Sequence, residues 1–146
     1  PWASDWLEIN ENGNVSSGDE RVDNNDSNYH LQVRDNDGGG EGVQREADLS
    51  AYTSATFSFE YRRDGFDNGN DYVMVHVSDN GGSSWTELDR FVGPGTDSSY
   101  VPESYDISAY IASNTRIRFL TSPDHGSGDE LYIDNVEVAV SGCANP

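Results

Sequence analysis

Lysine is absent from this chain of 146 residues, and basic residues are scarce altogether. Eight arginines stand against 27 Asp and Glu residues, which gives a formal net charge of −19. Nucleic-acid binding requires clustered Lys and Arg to neutralise phosphates, and anionic membrane surfaces attract the same residues. The composition therefore predicts a protein that binds neither nucleic acid nor a membrane.

Cysteine occurs once, as Cys143 in the stretch SGCANP. A single cysteine excludes an internal disulfide and a cysteine-based metal site. Because residues 141–146 follow the last strand-like run, they are predicted to be a tail or linker, in which Cys143 could also form an intermolecular bond. No apolar run approaches the ~20 residues that span a bilayer, and no signal peptide is recognisable. We expect one excised module of a larger secreted protein, with residues 1–140 as a single β domain.

The excess of negative charge destabilises a compact fold by self-repulsion. High salt screens exposed charges, and bound divalent cations neutralise them. The composition therefore favours an extracellular setting that is saline or rich in calcium, such as that of a marine or halotolerant bacterium. Simple solubility of an acidic surface is the alternative explanation.

Alternation of apolar and polar residues recurs along the chain, whereas helical periodicity is nearly absent. In ATFSFEYRR, the apolar positions 55, 57, 59 and 61 share one side. The same pattern occurs in HLQVRD, DYVMVHVS and TRIRFLT, and further strands are predicted at 5–10, 43–48, 85–91, 102–106 and 130–140. Only 107–113 favours a helical turn. Nine or ten short strands predict an all-β fold, a two-sheet antiparallel β-sandwich.

The stretch SDNGGSSW, residues 78–85, resembles the Asp-box hairpin in its spacing S-x-[D/N]-x-G-x-[S/T]-W. Its glycines permit positive φ, and its Ser and Asn side chains can bond to backbone amides of the turn. We therefore predict a hairpin rather than a binding site, with Trp85 beginning the return strand and closing its apolar base.

Acidic residues are bunched in the Gly- and Asn-rich stretches 17–28, 34–42, 62–71 and 122–130. Such stretches supply the oxygen ligands, about six to eight of them, that Ca²⁺ prefers. Three scattered histidines and one tail cysteine argue against Zn²⁺. We predict at least one Ca²⁺ site. Asp35 and Asp37 are candidate ligands with EF-hand spacing, although strand-like flanks argue against a true EF-hand.

Three stretches resemble the jelly-roll modules found near MAM-type domains: READLSAYTSATFSFEYRR, DYVMVHVSDNGGSSWTELDRF and LYIDNVEV. Similar modules are appended to secreted bacterial peptidases, adhesins and glycoside hydrolases. The resemblance covers roughly 30–140 and implies a jelly-roll topology. Because the cysteines of animal MAM domains are missing, only the bacterial, disulfide-free form is implied.

The resemblance also implies a calcium site, since many jelly-roll carbohydrate-binding modules hold a structural Ca²⁺ between their first and last strands. Carried over to this sequence, the ligands would be Glu8 of DWLEIN and Asp134 of YIDNV. The SGDE stretch could add Asp19 or Glu20.

Catalytic motifs are not recognisable: there is no G-x-S-x-G elbow, no H-E-x-x-H and no Gly-rich phosphate loop. The three histidines, His30, His76 and His125, lie in separate segments. We therefore predict a domain that is not an enzyme.

Outward residues of the predicted central strands suit a glycan. Aromatic faces cover sugar C–H patches, and planar polar side chains bond to hydroxyls. We predict a concave sheet face whose ligand-binding candidates are Gln32, Arg34, Glu60, Arg62, Tyr72, His76, Arg118 and Tyr132. A second route to sugar binding is calcium at the loop tips 35–41, 64–71 or 123–129.

The sequence thus predicts a secreted, calcium-stabilised carbohydrate-binding module, monomeric, beside neighbouring domains of the same chain and binding a polysaccharide. The alternative is a structural or protein-interaction module of an adhesin or protease without glycan binding. A third class, a β-sandwich hydrolase, is disfavoured by the missing catalytic motifs.

Overall fold

The computed structural model describes residues 1–14, 16–23, 29–35, 40–126 and 128–144. Within these ranges the chain forms ten strands and a 3-10 turn at Ser108–Tyr110. The strands are β1 Leu7–Ile9, β2 Arg21–Asp23, β3 His30–Val33, β4 Gly42–Ala47, β5 Ser54–Asp64, β6 Tyr72–Ser78, β7 Thr86–Val92, β8 Val101–Asp106, β9 Thr115–Thr121 and β10 Glu130–Ser141. No helix in the described ranges has the length and apolar character needed to cross a membrane.

The strands form two five-stranded sheets. Sheet A has the order β1-β4-β9-β6-β7, and sheet B has the order β2-β3-β10-β5-β8. All strand pairs are antiparallel. The predicted all-β, two-sheet antiparallel sandwich is confirmed, as is the helical turn within 107–113. Strand β2 was not predicted, because three residues are too short to show alternation.

Aromatic residues from both sheets fill the core. Phe119 of sheet A is fully buried, and its ring centre lies 6.1 Å from that of Phe57 and 5.0 Å from that of Phe59, both on sheet B. Burying each such ring stabilises the fold by about 1.5–3 kcal/mol. Because side chains alternate along a strand, placing these rings inward places their polar neighbours on the outer faces.

Candidate functional site

The outer surface of sheet A, which we call the A face, is carried by β4, β9, β6 and β7 side by side. In the strand register, Arg118 of β9 lies between Gln44 of β4 and His76 of β6. The A face therefore contains three of the predicted ligand-binding residues, Tyr72, His76 and Arg118. It also carries Gln44, Glu46, Met74, Trp85, Glu87, Arg90, Arg116 and Leu120.

Arg118 occupies the centre of the A face and contacts two rings. Its Nε donates a 2.9 Å hydrogen bond to Nδ1 of His76, and its guanidinium carbon lies 4.1 Å from the centre of the Trp85 ring. Because Nδ1 accepts this bond, the neutral imidazole carries its proton on Nε2, 3.8 Å from Oε1 of Glu87. Burial and the charge of Arg118 lower the pKa of His76, which keeps this ring neutral at pH 7.

A second pairing of arginine with an aromatic ring lies on the β6–β7 side of the A face. The guanidinium carbon of Arg90 lies 4.4 Å from the centre of the Tyr72 ring. Arg90 also makes two hydrogen bonds to the carboxylate of Glu87, of 2.7 and 3.2 Å. Contacts between a guanidinium and an aromatic face contribute about 0.5–1 kcal/mol at exposed sites. The A face thus presents two rings, each beside planar hydrogen-bond donors.

The charge of the A face differs from that of the chain as a whole. Its described charged residues are three arginines and two carboxylates: Arg90, Arg116, Arg118, Glu46 and Glu87. Arg116 and Glu46 form an ion pair of 3.0 Å. In a chain of net charge −19, this surface carries more cationic donors than carboxylates and does not repel an electron-rich ligand.

The turn between β6 and β7 holds Trp85 against the A face. The buried hydroxyl of Ser78 accepts hydrogen bonds from the backbone N–H of Gly82 at 2.9 Å and of Asn80 at 3.3 Å. Gly82 has a φ of +90°, and a Cβ there would lie 3.2 Å from the Trp85 ring. The predicted hairpin is confirmed. The half-buried ring of Trp85 lies against the turn at Gly82 and against Arg118, and it is not part of the hydrophobic core between the sheets.

The other five predicted ligand-binding residues lie on the opposite side of the sandwich. They belong to the outer surface of sheet B, the B face, and are Gln32, Arg34, Glu60, Arg62 and Tyr132. The prediction of one face for all eight residues is therefore wrong. Alternation assigns a side chain to the outside of its strand, but strand order decides which sheet the strand joins.

Four of these five side chains are buried or engaged within the fold. Gln32 and Tyr132 are only 1% and 7% exposed, and Arg62 covers the Tyr132 ring at 4.5 Å. Arg34 donates to Asp19 through a 2.6 Å bond. These contacts leave little ring surface for a ligand.

A groove of about 420 Å³ crosses another part of the B face. It is lined by Ser58, Phe59, Glu60, Pro102, Glu103, Ser104, Asn135 and Glu137. Phe59 is the one aromatic residue along this wall in the described part of the chain, and it is 2% exposed. The groove is thus acidic and lacks an accessible ring.

Carboxylates converge near the edge strands β1 and β2, where Glu8 and Glu20 line one small cavity. We call this group the edge cluster; its members are Glu8, Glu11, Asp19, Glu20, Asp35 and Glu41. Glu20 is 0% exposed, and neither of its carboxylate oxygens has a hydrogen-bond partner within the described ranges. Burial raises the pKa of Glu20 to about 9, and the nearby negative charges, that of Glu41 foremost, contribute to the rise.

The predicted metal ligands are only partly brought together. Glu8, Asp19 and Asp35 belong to the edge cluster, and Asp35 is fully buried. Asp134 lies instead on the B face, on the strand pair of β10 and β5. Asp37 lies outside the described residues.

Sequence reasoning missed several members of both sites. Glu41 lies in the acidic stretch 34–42, and Glu11 precedes the stretch 17–28, but neither was predicted to be a metal ligand. Trp85 was recognised as part of a turn motif and was assigned no contact with a ligand. Arg90 gave no signal, because its side of β7 follows from the pairing with β6.

Solved structures match this chain in fold, although no protein-family model and no curated protein sequence matches it. TmCBM61 in complex with beta-1,4-galactotriose is 13% identical, with a TM-score of 0.64 over 94% of this chain and 90% of that chain. A variant of the family 29 carbohydrate-binding module CBM29-2 complexed with mannohexaose is 16% identical, with a TM-score of 0.57 over 94% and 92%. A CBM4 structure is 14% identical, with a TM-score of 0.57 over 93% and 94%.

The fold is the jelly roll of carbohydrate-binding modules. The predicted jelly-roll architecture is thereby confirmed. The closer likeness to bacterial MAM-associated modules remains a prediction.

Proposed function

We propose that this chain is a non-catalytic carbohydrate-binding module that holds a glycan on the A face. The arrangement of Trp85, Arg118 and His76 carries the proposal, since a ring surface lies beside planar donors on an open sheet. Aromatic faces cover the C–H patches of sugars, and guanidinium N–H groups donate to hydroxyls. His76 is only 8% exposed, so its part is to orient Arg118. Solved structures of similar fold hold beta-1,4-galactotriose, cellulohexaose and mannohexaose, which supports an oligosaccharide ligand.

The net charge narrows the class of glycan. The net charge of −19 repels anionic polysaccharides, such as uronic and sulfated polymers, at long range. The A face also has no cluster of lysines that would attract such a polymer. We therefore favour a neutral polysaccharide. The B face is less suited, because Tyr132 is only 7% exposed whereas Trp85 and Tyr72 on the A face are half-buried, and because the acidic groove of the B face has no accessible ring.

A Ca²⁺ ion in the edge cluster would stabilise this module. The buried oxygens of Glu20, with the carboxylates of Asp19 and Asp35, are the hard oxygen donors that this ion prefers. Because the cluster lies beside the edge strands of both sheets, the ion would tie β1 to β2. At a hundredfold excess over Kd it would contribute about 2.7 kcal/mol. Extracellular calcium would fill such a site, which supports a secreted module; attachment to further domains stays a prediction.

Affinity electrophoresis in gels containing neutral glucan, mannan or galactan tests the proposed glycan site. We expect wild-type protein to be retarded, and Trp85→Ala and Arg118→Ala to lose about tenfold or more in affinity. Arg62→Ala is the matched control, because this arginine also lies over an aromatic ring but on the B face. Circular dichroism confirms that each variant is folded.

Two outcomes would contradict the proposal. If Arg62→Ala abolished retardation and Arg118→Ala did not, the glycan site would lie on the B face. If no neutral polysaccharide retarded the folded protein, the chain would be a structural or protein-interaction module.

A further inference from the structure

Three carboxylates meet where two loops cross between the sheets. The β5–β6 loop, residues 65–71, supplies Asp67 and Asp71, and the β9–β10 loop, residues 122–129, supplies Asp129. One carboxylate oxygen from each residue lies within 4.8 Å of the other two. We call this group the loop cluster; it shares no residue with the edge cluster.

Two members of the loop cluster are withdrawn from solvent. Asp71 and Asp129 are each 3% exposed, whereas Asp67 is exposed. Oδ2 of Asp129 accepts a 2.9 Å hydrogen bond from the N–H of Gly126, but its Oδ1 is buried without a partner among the described atoms. A buried acceptor without a donor destabilises the fold, and more so when it is charged. This oxygen therefore marks a place for a cationic ligand.

No arginine within the described ranges supplies a positive charge to the loop cluster. All eight arginines lie in the described ranges, and none of them forms an ion pair with Asp67, Asp71 or Asp129. His125 bonds through Nε2 to the backbone carbonyl of Asp129 at 2.7 Å, so it supports this loop rather than pairing with a carboxylate. Three carboxylates this close repel one another when they are ionised, and a bound cation would relieve that repulsion.

Hydrogen bonds within the β5–β6 loop hold the carboxylate of Asp71 in place and order the backbone at Asp67. Oδ2 of Asp71 accepts from the N–H of Asp67 at 2.8 Å and from that of Asn68 at 2.9 Å. The N–H of Asp71 in turn donates to the carbonyl of Asn68 at 3.2 Å. The loop is thus closed on itself before any ion binds, and the cost of ordering it on binding is small.

We infer that Asp67, Asp71 and Asp129 bind a second Ca²⁺ ion, which joins the β5–β6 loop to the β9–β10 loop. Two oxygens on one Ca²⁺ can lie about 5 Å apart, since Ca–O distances are ~2.3–2.6 Å. The three oxygens of the loop cluster, all within 4.8 Å of one another, meet this limit. The flexible coordination of Ca²⁺ suits three carboxylates from two loops better than the octahedral geometry that Mg²⁺ requires. Because each loop joins a strand of one sheet to a strand of the other, the ion clamps the two sheets at this end.

Isothermal titration of CaCl₂ into chelator-treated protein tests this inference independently of glycan binding. We expect two Ca²⁺ ions per chain for the wild type and one for Glu20→Gln, whose remaining ion is that of the loop cluster. Adding Asp67→Asn or Asp129→Asn to Glu20→Gln should weaken the remaining site by about tenfold or more, because affinity follows the count of charged ligands. Asp124→Asn is the matched control: it is exposed in the same loop and should leave binding unchanged.

Asp67 is exposed, so its substitution keeps the test valid even if Asp129→Asn unfolds. The inference is overturned if folded Glu20→Gln protein binds no Ca²⁺, or if Asp67→Asn in that background binds as tightly as Asp124→Asn. It is also overturned if equimolar Mg²⁺ displaces the remaining Ca²⁺. If the wild type binds a single Ca²⁺ ion, and this binding is lost in Asp67→Asn but not in Glu20→Gln, the ion lies in the loop cluster. That result would support this inference and contradict the proposed Ca²⁺ site in the edge cluster.

Discussion

Nε of Arg118 donates a 2.9 Å hydrogen bond to Nδ1 of His76, its direct neighbour on the adjacent antiparallel strand. The bond fixes the tautomer of the imidazole and the plane of the guanidinium, which lies over Trp85 at 4.1 Å. Two side chains from strands about 40 residues apart in the sequence thus become one rigid surface. Rigid donors beside a ring lose little conformational freedom when a ligand binds.

Arg118→Lys should weaken glycan binding although it conserves the charge. A lysine ammonium lacks the planar fork that lies on Trp85 and bonds to His76. We expect a loss in affinity of about tenfold, close to that of Arg118→Ala, measured by titration with an oligosaccharide. Arg62→Lys on the B face should leave the affinity unchanged. Wild-type affinity in Arg118→Lys would show that charge alone matters at this position.

His76 should make folding stability depend on pH. Its pKa is lowered in the folded state by burial and by Arg118. As the pH falls, His76 is therefore protonated in the unfolded chain before it is protonated in the folded protein. Its contribution is fully present above the unfolded pKa of about 6.5 and is lost as the pH falls through the lowered folded pKa. Urea unfolding of wild type and His76→Gln from pH 4 to 8 should show their stability difference shrinking on acidification. A difference independent of pH would contradict this assignment.

Glu20→Gln should stabilise the chelator-treated protein and destroy its response to calcium at this site. Without metal, the buried carboxyl of Glu20 must take up a proton when the chain folds near pH 7, whereas glutamine is neutral at every pH and keeps the size of the side chain. Because the pKa of Glu20 is raised to about 9, wild type without metal should lose stability as the pH rises from about 4.5 towards 9. The variant should not share that loss.

Thermal unfolding with calcium or with chelator measures both effects of Glu20→Gln. Glu137→Gln, at an exposed position of β10, is the control and should follow wild type in both buffers. A Glu20→Gln melting temperature that rises with calcium as much as that of wild type would remove Glu20 from the metal site.

Ser78→Ala should destabilise the β6–β7 turn and weaken glycan binding together. Alanine leaves the N–H groups of Gly82 and Asn80 without the acceptor they use, which costs about 1–3 kcal/mol. The turn then no longer fixes Trp85. Ser83→Ala, exposed in the same turn, should change neither urea unfolding nor affinity. Unchanged affinity in Ser78→Ala would mean that Trp85 is placed by Arg118 alone.

Phe119→Ala should cost about 3–5 kcal/mol of unfolding free energy, because it opens a cavity between the sheets. The ring is fully buried and packs on Phe57 and Phe59 of the opposite sheet. Leu120→Ala, at the next position and half-buried on the A face, should cost clearly less. Equal losses by urea unfolding would contradict the assigned inward and outward faces.

Local patterns determined much of this fold. The alternation in β5, β6 and β9 identified which side chains face the core, because successive residues of a strand point to opposite faces. The spacing of Ser78, Asn80 and Gly82 identified the hairpin, since its hydrogen bonds close within five residues. Both signals depend on neighbours in the sequence and need no knowledge of partner strands.

The sequence by itself therefore determined the sandwich, its inward and outward residues and the acidic character of its loops. Only the tertiary structure decided that Arg118 and Arg62, alike in sequence context, lie on opposite sides of the molecule. The tertiary structure also placed Glu20 beside carboxylates from distant parts of the sequence, and it placed Asp67 close to Asp129. The reason is physical: strand order and loop crossings arise from long-range pairing, which local alternation does not encode.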